Sequence, residues 1–273
     1  MQFFIGVIFG IVISLLAWRA GSLSTSGALA AAISGSLIFG LGGFPWAALL
    51  LTFFITSSAL SRLFKRRKLA LSEKFAKGDR RDWGQVLANG GLGAVLVIGM
   101  AWLGDGRSLD SWWWLVYAGA MAAVNADTWA TELGVLNPRQ PRLVTTWQRV
   151  EPGTSGGVSH SGTLASLAGA GLVGLVAAVF SFGNGWQAAL VLLLAVTLGG
   201  ASGSLFDSFL GATVQAIYTC PQCRKETERY PVHTCGTATL PRRGWRWLNN
   251  DLVNFLASAA GGLVTLGLWM LLT

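Results

Sequence analysis

Charge is scarce in this chain: 20 Lys and Arg and 12 Asp and Glu make up 12% of its 273 residues, against about 25% in an ordinary soluble domain. So few charges exclude a disordered chain and a soluble domain of usual composition. Three cysteines are too few for a disulfide-stapled mini-protein. The 36 glycines follow no three-residue period, which removes a collagenous fibre. Tyrosine is also rare, with 3 residues beside 13 Trp and 14 Phe. What remains is apolar: 52% of the residues are hydrophobic, as in an integral membrane protein. The formal charge of +8 would suit nucleic acid, but no binding module surrounds the basic residues, so no such partner is expected.

A helix needs about 20 predominantly apolar residues to cross a bilayer. Eight stretches qualify, roughly 2–18, 25–42, 44–61, 86–103, 112–134, 162–181, 187–206 and 251–272. The second is rich in Ala, Gly and Ser, which weakens its hydropathy but suits close helix packing in a membrane. The first lacks the basic start of a signal peptide and reads as a permanent span. Eight spans put every basic residue except Arg107 on one side. By the positive-inside rule that side is cytoplasmic and both termini lie outside. The fold class expected is all-α: one polytopic membrane bundle over 1–273, with a small zinc-ribbon-like cytoplasmic insertion at 212–248. A homo-oligomer is left open.

The outer connections are short and the inner ones long, and polar groupings gather at the inner ends. In Lys77-Gly78-Asp79-Arg80-Arg81-Asp82-Trp83-Gly84-Gln85, Asp82 and Gln85 have capping-box spacing. The helix start beside Lys77, Arg80 and Arg81 is either a phosphate clamp or a plain capped terminus. Asn89 follows one turn inside the span. Asn125, Asp127 and Glu132 end the fifth span, where carboxylates in an apolar helix need a cation or a partner. On an ideal helix Asp127 and Glu132 point about 140° apart. Only an unwound helix would bring both to one Mg²⁺; otherwise one serves the metal and the other an arginine, or both form a structural ion pair.

Gly153, Thr154, Ser155, Gly156, Gly157 and Ser159 precede the sixth span. Their backbone N–H groups and hydroxyls suit an anion, although a flexible loop tip would have the same composition. Asp207 falls on a stripe with Gly200, Gly203 and Gly211, small residues that let neighbours pack around one acid. Asn249, Asn250, Asp251 and Asn254 open the last span, and Asp251 reads as a helix cap. Between the last two spans Cys220, Cys223, His233 and Cys235 supply a Cys₃His set. A structural zinc is the leading reading of it, ahead of a redox pair or unligated thiols.

The runs 77–91, 125–134 and 153–159, with Phe206-Asp207-Ser208 and Trp247-Leu248-Asn249-Asn250-Asp251, resemble an integral membrane family that contains animal transmembrane protein 19 and the phytyl-phosphate kinases. That family is distantly similar to phytol and dolichol kinases and to CTP-using phosphatidate cytidylyltransferases. The resemblance covers most of the chain. It implies transfer of a phosphoryl group from a nucleotide, CTP above others, to an isoprenoid monophosphate such as phytyl phosphate. Alternatives are cytidylyl transfer to a lipid phosphate and non-enzymatic transport or scrambling of such lipids.

Residue chemistry then suggests the roles. Asp127 and Asp207, joined by Glu132 or Asp251, would hold Mg²⁺ against the nucleotide. Lys77, Arg80 and Arg81 would neutralise phosphates, with Asn89 and the 153–159 backbone orienting them.

Overall fold

A computed structural model of the chain describes residues 1–64, 80–104, 108–137 and 139–273. Eight long helices run through them: α1 Gln2–Arg19, α2 Thr25–Gly42, α3 Phe44–Leu63, α4 Trp83–Leu103, α5 Trp112–Gly134, α6 His160–Ser181, α7 Trp186–Thr213 and α8 Asn250–Leu272. The apolar stretches of the sequence become these helices, because inside a bilayer only internal hydrogen bonding satisfies the backbone. Polar residues set their starts. The hydroxyls of Ser24, Ser111 and Ser159 accept from Gly27, Trp114 and Gly162 N–H. Asp82 and Gln85 form a full capping box at α4.

The cap of α8 corrects the reading of Asp251. Asn249 accepts from Leu252 N–H at 3.0 Å and is the cap, and Asp251 sits beyond it in the first turn.

Seven of the helices are long and apolar enough to cross a membrane. The other, α5, is the axis of the bundle. It packs against α6, α7 and α8, with α3 and α4 also alongside, and an unbroken run from Trp113 to Ala126 is buried. A helix surrounded by helices has little need of a lipid-facing surface.

Glycine sets how closely its neighbours approach. A Cβ placed on Gly203 would lie 2.5 Å from Ala123 Cβ and 2.8 Å from Ala257 O, so α7 meets α5 and α8 backbone to backbone. Farther along α5 the Tyr117 ring stacks on Trp46 at 4.3 Å, and its hydroxyl donates to Trp46 O at 2.8 Å. The outermost helix, α1, is held mainly through α2.

The chain reverses direction between successive helices, so the C-termini of α1, α3, α5 and α7 meet the N-termini of the other four at one end of the bundle. Two small sheets cover that end. Strands β1 (Arg142–Leu143) and β2 (Gly157–Val158) pair antiparallel. Strand β3 (Ile217–Thr219) lies between β4 (Glu226–Thr227) and β5 (Leu240–Arg243). Arg243 fastens this second sheet to the bundle by donating to Gly211 O at 2.8 Å.

Candidate functional site

At this end the helices enclose a cavity of about 620 Å³. It gathers Arg81 and Asn89 around the start of α4, Asp127 and Glu132 on α5, Asp207 on α7, and Asn250, Asp251 and Asn254 on α8. The turn carrying Gly153, Thr154, Ser155, Gly156, Gly157 and Ser159 closes one side. Residues spread over most of the sequence thus line one polar space.

Not every expected residue is there. Asn125 is fully buried one turn deeper on α5, accepting from the Thr56 hydroxyl at 3.0 Å and donating to Gly169 O at 2.8 Å. Both ends of its amide are spent tying α5 to α3 and α6, which corrects its assignment to substrate. Arg80 is exposed and outside the lining, in contrast to its neighbour. Lys77 lies outside the described residues.

Arg81 is positioned by its backbone first. Its N–H donates to Ser22 O at 3.1 Å and its carbonyl accepts from Ser24 N–H at 3.0 Å, which clips the segment before α4 to the turn between α1 and α2. The guanidinium then enters the bundle, donating to Ser58 Oγ at 3.1 Å and Ser57 Oγ at 2.9 Å over the Phe53 ring. Burial lowers its pKa to about 10 against the opposing pull of the Glu132 charge, so it remains a cation at neutral pH. Glu132 accepts from Ser61 Oγ at 2.6 Å.

Helix α5 is unbroken through this region. Asp127 and Glu132 therefore diverge, which rules out the unwound arrangement: Glu132 faces Ser61 and the Arg81 charge, and Asp127 lies near Asp207 of α7.

There Asp207 meets the charges of Asp127 and Glu228. Its Oδ2 is enclosed and has no hydrogen-bond partner among the described residues. Small residues make this approach feasible: a Cβ on Gly200 would lie 2.6 Å from Ala122 Cβ, and one on Gly211 2.6 Å from Ser155 Oγ. Orphaned carboxylate oxygens beside further acids are hard donors suited to a divalent cation.

The 153–159 turn is anchored. Gly153 and Gly156 have φ of 78° and 82°, conformations that favour glycine. A Cβ on Gly156 would also press to 2.5 Å from Ala212 Cβ. Ser159 is committed to capping α6, and the Ser155 hydroxyl donates to Gln215 Oε1 at 2.9 Å. Gln215 in turn donates to Glu228 Oε1 at 2.9 Å. This relay brings Glu228 and Arg229 from beyond β4 into the cavity lining, two residues that the sequence reading passed over. Ser61 also lines the cavity, as do Thr128 and Ser208, which lie in the runs 125–134 and Phe206-Asp207-Ser208.

Next to this relay, Cys220, Cys223, His233 and Cys235 hold their ligand atoms within 4.8 Å of one another, a set that could bind a metal ion. Cys220 Sγ lies 3.5 Å from Cys235 Sγ, and His233 Nδ1 3.2 Å from the same sulfur. Hydrogen bonding with Thr237 and His233 lowers the Cys235 thiol pKa to about 6, which favours the thiolate that metals bind.

Residues 8–262 match the family described as integral membrane protein DUF92. "Protein PGR" of Arabidopsis thaliana is 37% identical, over 93% of this chain and 96% of its own length. "Uncharacterized membrane protein MJ0933" of Methanocaldococcus jannaschii is 30% identical over 97% and 93%. "Protein VTE6, chloroplastic" of Arabidopsis thaliana is 23% identical over 89% of this chain and 64% of its own. No solved structure matches. The chain belongs to the DUF92 family and is an integral, multi-pass membrane protein.

Proposed function

We propose that this DUF92 member is a phosphotransferase that moves the γ-phosphoryl group of a nucleoside triphosphate, CTP by the family resemblance, onto an isoprenoid monophosphate such as phytyl phosphate. The observation that carries the reading is the cavity at the end of an apolar bundle, lined by four helix carboxylates, an inward-turned arginine and a glycine-rich turn. A lipid phosphate keeps its tail in the bilayer and its charge at the interface, so a site for it belongs at that depth. With the basic connections in the cytoplasm, the cavity opens to cytosolic nucleotide and both termini lie outside.

An oxygen of the lipid phosphate bonds to the γ-phosphorus. The bond from that phosphorus to the β–γ bridging oxygen breaks, and CDP leaves with the electron pair. The attacking phosphate is already ionised and needs no strong base. Placement and charge neutralisation supply most of the acceleration. Asp127 and Asp207 would hold Mg²⁺, whose chemistry when bound is to neutralise phosphate charge. Arg81 contributes a fixed cation, Glu132 and the two serines keep it aimed, and the 153–159 backbone orients phosphate oxygens. Asn89, Asn250, Asp251 and Asn254 line the remaining wall.

CTP labelled at the γ position tests the reaction in purified protein. Label entering the lipid is the expected result. Label leaving as pyrophosphate would mean cytidylyl transfer, and lipid movement between leaflets without nucleotide would mean a transporter. Arg81→Gln removes a charge-assisted hydrogen bond worth ~1.5–3 kcal/mol, so kcat/KM should fall roughly 10- to 100-fold; the melting temperature should fall as well, because the buried Glu132 charge loses the cation facing it.

The Cys₃His set is assigned a structural zinc that clamps the 212–248 insertion and thereby places Glu228 and Arg229. Stoichiometric zinc by elemental analysis is expected. Chelation should lower the melting temperature by ~5 °C or more, since 1 kcal/mol shifts a protein of this size by about 2–4 °C. A metal-free preparation with the same melting temperature would remove the assignment.

A further inference from the structure

A second cavity of about 90 Å³ lies beside the first, and almost all of it is apolar. It exists because α1 is held through α2, and α2 in turn leans on α4, so the α1–α2 hairpin stands slightly off α3. Small residues form one wall, among them Gly10 and Ser14 of α1 and Ala31 and Gly35 of α2; Leu50 and Phe54 of α3 form the other. Three residues line both cavities: Arg81, Gln85 and Asn89. The slot is therefore a greasy passage that ends on a fixed cation and two amides, and beyond them lies the polar basin.

We propose that this slot binds the isoprenoid tail of the lipid phosphate, with Arg81, Gln85 and Asn89 reading the junction between tail and phosphate. The assignment rests on the phosphotransferase reading for the identity of the lipid, and it adds where the tail goes. Charge complementarity selects the slot over the other opening to the bilayer. Between α6 and α7, Leu167, Leu198 and Leu205 line the polar cavity and are also exposed on the outer surface. That opening lies beside Asp207, whose neighbours are Asp127 and Glu228, and until a cation is bound an anionic headgroup is repelled there. At the slot it meets Arg81, held 5.4 Å from the Phe53 ring centroid and aimed by Ser57 and Ser58. Burying tail methylenes against Leu50 and Phe54 supplies affinity, and the small residues opposite leave width for methyl branches.

The test uses the whole purified protein in nanodiscs and geranylgeranyl monophosphate carrying a photoreactive diazirine near the end of its tail, with adducts mapped by peptide mass spectrometry. Adducts are expected on α1, α2 and α3 residues of the slot. Gly35→Leu would plug it: a Cβ there meets only Gly10 Cα at 3.9 Å, so the first carbon of the new side chain has room, and the melting temperature checks that the variant folds. Labelling in Gly35→Leu should weaken about tenfold, a loss of roughly 1.4 kcal/mol in binding. Unlabelled geranylgeranyl monophosphate should compete and phosphatidylglycerol should not. The proposal is overturned by adducts concentrated on α6 and α7, by a folded Gly35→Leu protein that labels like the parent, or by equal competition from phosphatidylglycerol. The readout needs no turnover. Slot labelling in a protein that never phosphorylates lipid would retire the kinase reading and leave the slot standing.

Discussion

Asp207→Asn should lower nucleotide-dependent phosphorylation of the lipid at least a hundredfold, about 2.7 kcal/mol of transition-state stabilisation, while the protein melts no lower than the parent. The substitution keeps the shape and removes the charge of a carboxylate whose Oδ2 is enclosed without a hydrogen-bond partner among the described residues. Next to Asp127 and Glu228, that charge repels its neighbours unless a cation is present, so neutralising it relieves the resting protein and harms only the loaded one. Asp127→Asn should act in the same direction. Titrating Mg²⁺ adds a signature that a structural defect would lack: the metal concentration for half-maximal rate should rise in both variants. Parental turnover in both would sink the metal assignment while leaving the cavity itself intact.

The largest effect on folding is expected from Gly203→Leu. Even the first carbon of the new side chain would sit 2.5 Å from Ala123 Cβ and 2.8 Å from Ala257 O, and both neighbours belong to helices that cannot withdraw without opening the core. Overpacking of this kind typically costs ~1–3 kcal/mol and sometimes more, and here the clash is partly with backbone. The variant should fail to give a monodisperse peak after solubilisation, or should melt many degrees lower. Gly267→Leu is the matched control. It lies on the same class of helix, a Cβ there meets nothing within 4 Å, and its effect should stay within about 0.5 kcal/mol. Similar behaviour of the two variants would show that the α5, α7 and α8 seam does not limit stability.

Much of this architecture was readable in the chain because bilayer physics writes it locally. Apolar runs bounded by Ser24, Asp82, Ser111 and Ser159 became helices within a few residues of expectation. The exception in length is α7, which continues to Thr213, so Asp207 stands inside the helix with a turn and a half beyond it. The cavity lining was legible where charge or amide was out of place in an apolar span, as at Asn89, Asp127, Glu132 and Asp207. The same rule misplaced Asn125, since a buried amide can equally be satisfied by a neighbouring helix, here through Thr56 and Gly169. It also took Arg80 and Arg81 together, although only the second turns inward. Glu228 and Arg229 carried no signal at all. They reach the cavity through Gln215 and Ser155, residues far apart in sequence that the fold of the insertion brings together.

The central position of α5 has a consequence for how the protein is made. Among the described residues seven helices are long and apolar enough to cross a bilayer, and α5 is not among them, because much of its surface is meant for other helices. During synthesis this segment emerges before α6, α7 and α8 exist. Its residence in the membrane must therefore be secured afterwards, when the later helices close around it. Truncation after Gly134 should leave α5 accessible to water-soluble labelling reagents, and extension through α8 should shield it.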